Sequence, residues 1–423
     1  MSTPSPLTVL VVDDSAVFRA TVRAVLESMP SITVLGIARD GVEAVEAIAT
    51  LKPDVVTLDV EMPNRDGVET LREIRRRGLK TDVIMLSSLT HAGAAVTMEA
   101  LFEGAFDFVP KPTGGLVAGR EGLTTALTDK FNALRRHRWT RRSAESRMAL
   151  SSDATTDSTD DSNDGDHSNV DTRSVTTPPR TSYRLPPQRP HRPSPAIGPR
   201  PSAELTRRDS PDVAGTSSKQ PSDLATSSRC RIVVIAASTG GPLALRRVIP
   251  GLADIAVPVL IVQHMPAGYV ASMASRLSTE DVAVVRAEAT MRLARGRVYA
   301  APGDYHLVIN RVAGGEHQFD LNQDPPRRGC RPAADITLNS AVQQFGGGVL
   351  AVVLTGMGRD GLEGCQNVKQ AGGSVFVQDA VTAAVDGMPR VVREAGIADR
   401  VLPIGRIAPA IMRHVRRTRR MQP

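Results

Sequence analysis

The stretch LTVLVVDDSAVFRATVRAVLESM, residues 7–29, decides the fold of the first part of the chain. An apolar run suited to a buried strand ends at two aspartates, and a segment whose apolar residues have helical spacing follows. The same succession repeats up to about residue 140, where the further apolar runs are ITVLGIAR, DVVTLDV, DVIMLSS and AFDFVPKP. Such alternation is typical of a parallel sheet covered by helices on both faces. The sequence therefore predicts five strands and five helices in this segment.

Two further segments follow. Residues 141–229 are rich in Ser, Thr, Asp, Pro and Arg and poor in apolar residues. Such a stretch cannot bury enough apolar surface to offset its conformational entropy, so we expect a long disordered linker. From Cys230 the alternation returns, with seven apolar runs: RIVVIAAS, PVLIVQH, VAVVRA, RVYAAP, HLVIN, GVLAVVLTG and SVFVQD. We therefore predict α/β domains over 7–140 and 230–415, the second of them doubly wound, joined by the linker.

The composition excludes several classes of protein. The 423 residues carry a formal charge of +7, but the arginines are dispersed among aspartates, and no helix-turn-helix pattern with a basic face indicates a nucleic-acid partner. We interpret the dense basic run RHVRRTRR, residues 413–420, as a solvated helix end. No apolar run approaches the roughly 18–20 residues of a membrane span. The three cysteines lack metal or disulfide spacing. We expect a cytoplasmic protein without membrane insertion.

Polar residues follow four of the predicted strands in the first domain. Asp13 and Asp14 end the first strand, Asp59 the third and Ser87 the fourth, and Lys111 follows the fifth. The carboxyl ends of parallel strands share one edge of a sheet. Converging carboxylates there suit Mg²⁺, one aspartate can attack phosphorus, and Lys111 and Ser87 can contact the phosphoryl oxygens. Singly, these aspartates could instead be helix caps or turn residues; together they favour a phosphorylation site.

The motifs VVDDS, DVEMPNRDG, MLSS and VPKP resemble the response-regulator receiver domain, and the resemblance covers the whole first segment. It implies a flavodoxin-like fold and phosphorylation of Asp59 by a partner histidine kinase. It also implies Mg²⁺ at Asp13, Asp14 and Asp59, with Ser87 and Lys111 as switch residues.

Three polar signals in the second domain also follow apolar strands: ASTGG, QHMP and TGMGRDG. They carry Ser238, His264 and Asp360, which are the residue types of a serine nucleophile, a general base and an orienting acid. ASTGG is not the GxSxG nucleophile elbow, so a phosphate-binding glycine turn stays an alternative. Ordinary structural roles, such as a helix cap for the serine, are more common for each residue taken alone.

ASTGGP, QHMP, APGDYHL, TGMGRDG and GMPR together resemble the catalytic domain of the chemotaxis methylesterases, the CheB family. The resemblance implies that Ser238 is the nucleophile, His264 the base and Asp360 its partner, with Thr239 and Met357 forming an oxyanion site through their amides. It also implies hydrolysis of glutamate methyl esters on chemoreceptors, deamidation of receptor glutamines, no cofactor for hydrolysis, and inhibition by the receiver until it is phosphorylated. A receiver joined to a nucleotide-binding or adaptor domain is the main alternative.

Overall fold

The computed structural model describes residues 6–88, 90–112, 116–153 and 229–420. In the first domain the strands are β1 (Leu7–Val12), β2 (Ile32–Ala38), β3 (Val55–Asp59), β4 (Asp82–Ser87) and β5 (Asp107–Pro110). The helices are α1 (Ala16–Glu27), α2 (Gly41–Leu51), α3 (Gly67–Arg76), α4 (His91–Glu103) and α5 (Leu116–Asp153). All strands are parallel, in the order β2-β1-β3-β4-β5, which is the flavodoxin-like order. The predicted five strands and five helices are confirmed.

Alternate side chains of the first sheet pack on its two faces, as a doubly covered sheet requires. From β1, Val9 and Val11 join the cluster that contains Leu26 of α1 and Leu127 of α5. Leu10 and Val12 point the other way and join the cluster that contains helices α2–α4.

Helix α5 is longer than predicted, because it continues past residue 140 to Asp153. Residues 141–153 include Ala, Arg, Glu, Met and Leu, which have high helix propensity, so the front of the predicted linker extends the helix. The rest of the predicted linker, residues 154–228, lies outside the described part of the chain.

The second domain contains a seven-stranded parallel sheet and a separate hairpin. The sheet has the order β14-β13-β12-β6-β7-β9-β8. Its strands are β6 (Ile232–Ala237), β7 (Val259–Gln263), β8 (Val284–Arg286), β9 (Val298–Ala300), β12 (Val349–Val353), β13 (Ser374–Gln378) and β14 (Arg400–Leu402). The hairpin pairs β10 (His306–Arg311) with β11 (His317–Asn322) in antiparallel register. The doubly wound α/β architecture predicted for this domain is confirmed.

Six helices accompany these strands: α6 (Gly241–Val248), α7 (Ala267–Leu277), α8 (Ala334–Phe345), α9 (Leu362–Gln370), α10 (Met388–Glu394) and α11 (Ile404–Arg420). The basic run at 413–420 lies in α11, where Arg413, Arg416, Arg417 and Arg419 are exposed, consistent with a solvated helix end. Strands β7, β9 and β8 lie on one side of β6, and the later strands β12, β13 and β14 lie on its other side. The strand order therefore reverses between β6 and β12, where such sheets bind ligands at the strand carboxyl ends.

Candidate active site and phosphorylation site

Ser238 and His264 follow β6 and β7, two neighbouring strands of the second sheet. The His264 amide donates to Ala237 O at 3.0 Å, and the Ser238 amide donates to Thr355 O, beyond β12, at 3.0 Å. These two hydrogen bonds hold the carboxyl ends of β6, β7 and β12 together, at the place where the strand order reverses. Asp360 follows β12 and completes the predicted group on the same edge.

The imidazole of His264 and the carboxylate of Asp360 are in direct contact at this edge. His264 Nε2 lies 2.7 Å from Asp360 Oδ2, and both side chains are largely buried. The carboxylate also accepts the amides of Ala334 and Asp335 at the start of α8, at 2.6 and 3.0 Å. An acceptor at Nε2 places the proton of the neutral ring there, so Nδ1 is left as the basic nitrogen.

Both members of this pair have shifted pKa values. Burial raises the pKa of Asp360, but the bonds from His264, Ala334 and Asp335 prevail and hold it below its usual value. Burial likewise lowers the pKa of His264, but its hydrogen bonds to Asp360 and Cys330 raise it to about 9. The pair therefore stabilises an imidazolium, which is the state that a general base reaches after taking a proton.

Ser238 lies at the turn from β6 into α6 and has a partly exposed side chain. A Cβ atom on Gly356 would lie 2.7 Å from Cβ of Ser238, so the turn after β12 approaches the serine closely. Within the described residues Ser238 Oγ has no hydrogen-bond partner, and the amides of Thr239 and Met357 donate no hydrogen bond. The structure thus brings His264 and Asp360 into contact and places Ser238 on the same edge of the sheet, with a hydroxyl that is not bonded to a described residue.

The two glycines after Thr239 make room for protein groups. Gly240, the N-cap of α6, has φ of +75°, and a Cβ on Gly241 would lie 1.9 Å from Gln263 Oε1. The buried amide of Gln263 in turn donates from Nε2 to Ser238 O at 2.9 Å. These contacts explain the glycines through packing around the serine.

The predicted phosphorylation site assembles at the carboxyl edge of the first sheet. The carboxylates of Asp13, Asp14 and Asp59 have ligand atoms within 4.8 Å of one another. Lys111 Nζ lies 2.8 Å from Asp13 Oδ2 and 2.7 Å from Asp59 Oδ2. Burial and the charge of Asp13 raise the pKa of Asp59 to about 6, although Lys111 opposes this. Two buried carboxylates thus share one ammonium group, and the exposed carboxylate of Asp14 lies beside them.

Ser87 ends β4, and its hydroxyl contacts both domains. Ser87 Oγ lies 2.5 Å from Thr97 Oγ1 within the first domain. Tyr269 of α7, in the second domain, donates to Ser87 Oγ at 3.1 Å and to Ser88 O at 3.3 Å. The Tyr269 ring packs on Phe108 of β5 with centroids 4.5 Å apart.

Further contacts join the domains near Ser238. Lys130 of α5 lies between Asp107, at 2.7 Å, and the hydroxyl of Thr239, at 3.3 Å. Arg276 of α7 pairs with Glu99 of α4 at 2.8 Å. The first domain therefore packs against the edge that carries the serine.

Sequence reasoning missed several of these residues for identifiable reasons. Cys330 Sγ lies 3.5 Å from His264 Nδ1, but the cysteine belongs to the segment between β11 and α8, away from any strand end. Tyr269 and Lys130 lie on helices, where nothing in the local pattern distinguishes a domain contact from ordinary amphipathicity. Gln263 precedes His264 directly in the QHMP motif and could have been singled out by that position.

The fold and the site together define a class: a flavodoxin-like domain with an acidic carboxyl edge, joined to a doubly wound α/β domain with a serine, a histidine and an aspartate at the carboxyl edge of its sheet. Residues 233–411 match the family described as CheB methylesterase, and residues 9–116 match the response regulator receiver domain. The chain belongs to the CheB methylesterase family.

Relatives match over nearly the whole length. A protein of Nocardioides sp. named "Protein-glutamate methylesterase/protein-glutamine glutaminase" is 38% identical, and the match covers 97% of this chain and 96% of that protein. A protein of the same name from Thermotoga maritima is 37% identical, with 94% and 96% covered. The crystal structure of the Thermotoga maritima CheB methylesterase catalytic domain is 42% identical over 43% of this chain and 97% of that one, with a TM-score of 0.42. Among the described residues no helix is both long and apolar enough to cross a membrane.

Proposed function

We propose that the chain hydrolyses γ-methyl esters of glutamate side chains on chemoreceptors and also deamidates receptor glutamines. Membership of the CheB methylesterase family supports the reaction class. The observation that carries the residue assignment is the buried contact of 2.7 Å between His264 and Asp360, on the sheet edge that also carries Ser238. A cytoplasmic location, where the signalling parts of chemoreceptors are accessible, belongs to the same proposal.

Ser238 Oγ attacks the ester carbonyl while Nδ1 of His264 takes the hydroxyl proton, and Asp360 stabilises the imidazolium. The unengaged amides of Thr239 and Met357 are suited to receive the oxyanion. His264 then returns its proton to the leaving methoxide, and methanol departs. Water, deprotonated by His264, cleaves the acyl-enzyme and regenerates glutamate and Ser238. With a glutamine side chain the leaving group is ammonia instead of methanol.

A Ser238→Ala variant tests the nucleophile assignment. It should lose about 10⁴-fold or more of methanol release from methylated receptor, as typical for loss of a triad member. Its unfolding transition and its Asp59 phosphorylation should match the parent protein, because the change removes one partly exposed hydroxyl. A folded Ser238→Ala protein with near-normal turnover would eliminate this assignment.

The first domain accepts a phosphoryl group on Asp59 from a histidine kinase. The site fits Mg²⁺: the donors are hard carboxylate oxygens, and the buried Oδ2 of Asp13 receives no well-oriented hydrogen bond from a described residue. Asp13, Asp14 and Asp59 would hold the ion, which supplies positive charge against the phosphoryl oxygens when bound. Lys111 orients the same oxygens, and the hydroxyl of Ser87 is placed to bond them. No metal is assigned to ester hydrolysis.

Phosphorylation relieves inhibition by the receiver. The contacts of Lys130 with Thr239 and of Tyr269 with Ser87 support this, because they connect the serine-bearing edge and the phosphorylation site to one interface. Methanol release measured with and without a small phosphodonor tests it: the phosphodonor should raise the rate of the full chain and leave an Asp59→Asn variant unchanged. Equal stimulation of both proteins would contradict control through Asp59.

A further inference from the structure

The nitrogen of His264 that the reaction needs is already in contact with a thiol. Cys330 Sγ lies 3.5 Å from Nδ1, while Nε2 is bonded to Asp360. A thiol, an imidazole and a carboxylate in this order form the arrangement that activates a thiol: the base is within reach of the sulfur and is oriented by a third group. Ser238, by contrast, makes no such contact with any residue that the structure describes.

The charges around this contact come from the turn after β12, from α8 and α9, and from the segment that carries Cys330. Asp360 faces His264 from the turn after β12, and Asp335 on α8 lies beside Asp360. Glu363 of α9 pairs with Arg327 at 2.6 Å, and Arg328 lies 3.5 Å from Asp335. Cys330 follows these arginines after one glycine, and Arg328 O lies 3.8 Å from its sulfur. The acids are thus partnered, and a cation-rich segment carries the thiol.

We infer that Cys330 restrains the general base: its thiol occupies Nδ1 of His264 in the resting enzyme, and chemical modification of this thiol blocks hydrolysis. The inference rests on the proposed function for its effect on turnover. It goes beyond that function in adding a reactive thiol that competes with Ser238 for the base.

This competition needs no outside reactant. Nδ1 of His264 cannot contact Cys330 Sγ and take the serine proton at the same time, and release of the thiol restores the free base that Ser238 requires. An alkylating reagent such as iodoacetamide removes the thiol from this competition: a carbon–sulfur bond forms, the carbon–iodine bond breaks, iodide leaves and the thiol proton passes to solvent.

The other two cysteines serve as internal controls. Cys230 and Cys365 are buried, and burial raises the pKa of each thiol. Cys330 is partly exposed. Because the thiolate is the reactive form, native protein should be alkylated at Cys330 alone.

The first experiment measures alkylation of the native full chain by peptide mass spectrometry at pH 6.5, where an ordinary thiol is only about 1% thiolate. Cys330 should react at least about tenfold faster in the parent protein than in a His264→Ala variant. This readout does not depend on the reaction that the enzyme catalyses, so it tests the thiol–imidazole contact even if the proposed substrate is wrong. Equal rates in both proteins would overturn the inference.

The second experiment links the thiol to turnover. Methanol release should fall in parallel with modification of Cys330, whereas Cys330→Ala should keep its activity in iodoacetamide. Without the thiol the pKa of His264 falls, so the acid limb of kcat/KM should move to lower pH in Cys330→Ala and in Cys330→Ser. If the cysteine had only a structural role, its replacement would change the rate equally at all pH values and leave the acid limb of kcat/KM at the same pH. The inference would be overturned if the alkylated protein were fully active. It would also be overturned if the acid limb of kcat/KM stayed at the same pH in both variants while their unfolding transitions matched that of the parent protein.

Discussion

At the scale of single residues, Asp360 has two tasks. Its carboxylate orients His264 and also accepts the first amides of α8, so one buried acid connects the base to the helix that follows Cys330. A carboxylate at a helix start is favoured by the helix dipole, which helps to keep it ionised in a buried place.

Replacing Asp360 by Asn should lower kcat about 10⁴-fold, as loss of the orienting acid does in other triads. The amide cannot stabilise the imidazolium, so the pKa of His264 should fall. Since the base acts unprotonated, the acid limb of the residual activity should then lie at lower pH. Asp335→Asn is the matched control: this buried acid bonds the Gly364 amide at 2.8 Å but does not touch His264. A pH profile that moves equally in both variants would contradict the assigned role of Asp360.

The carboxylates of the first domain lead to a metal prediction. Asp59 phosphorylation by a small phosphodonor should require Mg²⁺ and stop on chelation, because the cluster of three carboxylates has only the Lys111 ammonium group, bonded to Asp13 and Asp59, to offset its charge among the described residues. The unphosphorylated full-length protein should hydrolyse the ester at the same basal rate with and without this chelator. An Asp13→Asn variant should need a higher Mg²⁺ concentration for the same phosphorylation. Chelator-sensitive basal hydrolysis would contradict this division between the domains.

At the scale of elements, β4, β5 and α7 meet at Tyr269. Its ring packs on Phe108, and its hydroxyl donates to Ser87, the residue that we assign to the phosphoryl group. Ser87 cannot keep its present hydrogen bonds and also turn toward Asp59. Phosphorylation and this domain contact therefore compete for one hydroxyl.

Tyr269→Phe keeps the ring and removes the bonds to Ser87 and Ser88. Loss of a hydrogen bond of this kind costs about 1 kcal/mol, or about fivefold in a docking equilibrium. The unphosphorylated variant should release methanol about two- to fivefold faster than the unphosphorylated parent. The phosphorylated variant and the phosphorylated parent should release methanol at the same rate. Parental basal activity in a folded Tyr269→Phe protein would show that this bond does not hold the domains together.

Some of the strands could be predicted from the sequence and others could not. Buried strands such as β3 and β12 are continuous apolar runs and were predictable, as were the polar residues at their ends. The hairpin strand β11 was missed because only Phe319 among its six residues is buried, and β14 is a three-residue strand at the sheet edge. The contact of Cys330 with His264 was out of reach, since it depends on how a segment without strand or helix pattern folds back.

At the scale of the whole molecule, the two domains share an apolar cluster. Met98 and Phe102 of α4 belong to it together with Ala244 of α6 and Met273 of α7. Polar contacts surround it: Arg246 donates to Phe102 O at 2.6 Å, and Arg276 pairs with Glu99. An exposed ion pair contributes only about 0–1 kcal/mol, so the apolar cluster supplies most of the attraction and the charges set its orientation.

Reversing one charge of the pair between Arg276 and Glu99 tests whether this interface holds the enzyme inactive. Arg276→Glu should raise the methanol release of unphosphorylated protein about two- to fivefold, because two acids then face each other across the interface. Combining it with Glu99→Arg should restore part of the inhibition; Arg72 in the same domain also pairs with Glu99, at 2.6 Å, and would repel the new arginine. Added salt should reduce the difference between the single variant and the parent, since exposed charges are screened.

The matched control is Arg23→Glu, which breaks an exposed ion pair of 2.7 Å with Glu27 within α1. It changes the net charge by the same amount as Arg276→Glu but leaves the interface intact, so basal activity should stay at the parental level. If Arg276→Glu behaves like this control, or if the double variant is as active as the single one, the contact between α4 and α7 does not restrain the enzyme. If instead only the interface variants are activated, and phosphorylation adds little to them, the receiver inhibits by direct docking and phosphorylation acts by weakening that same interface.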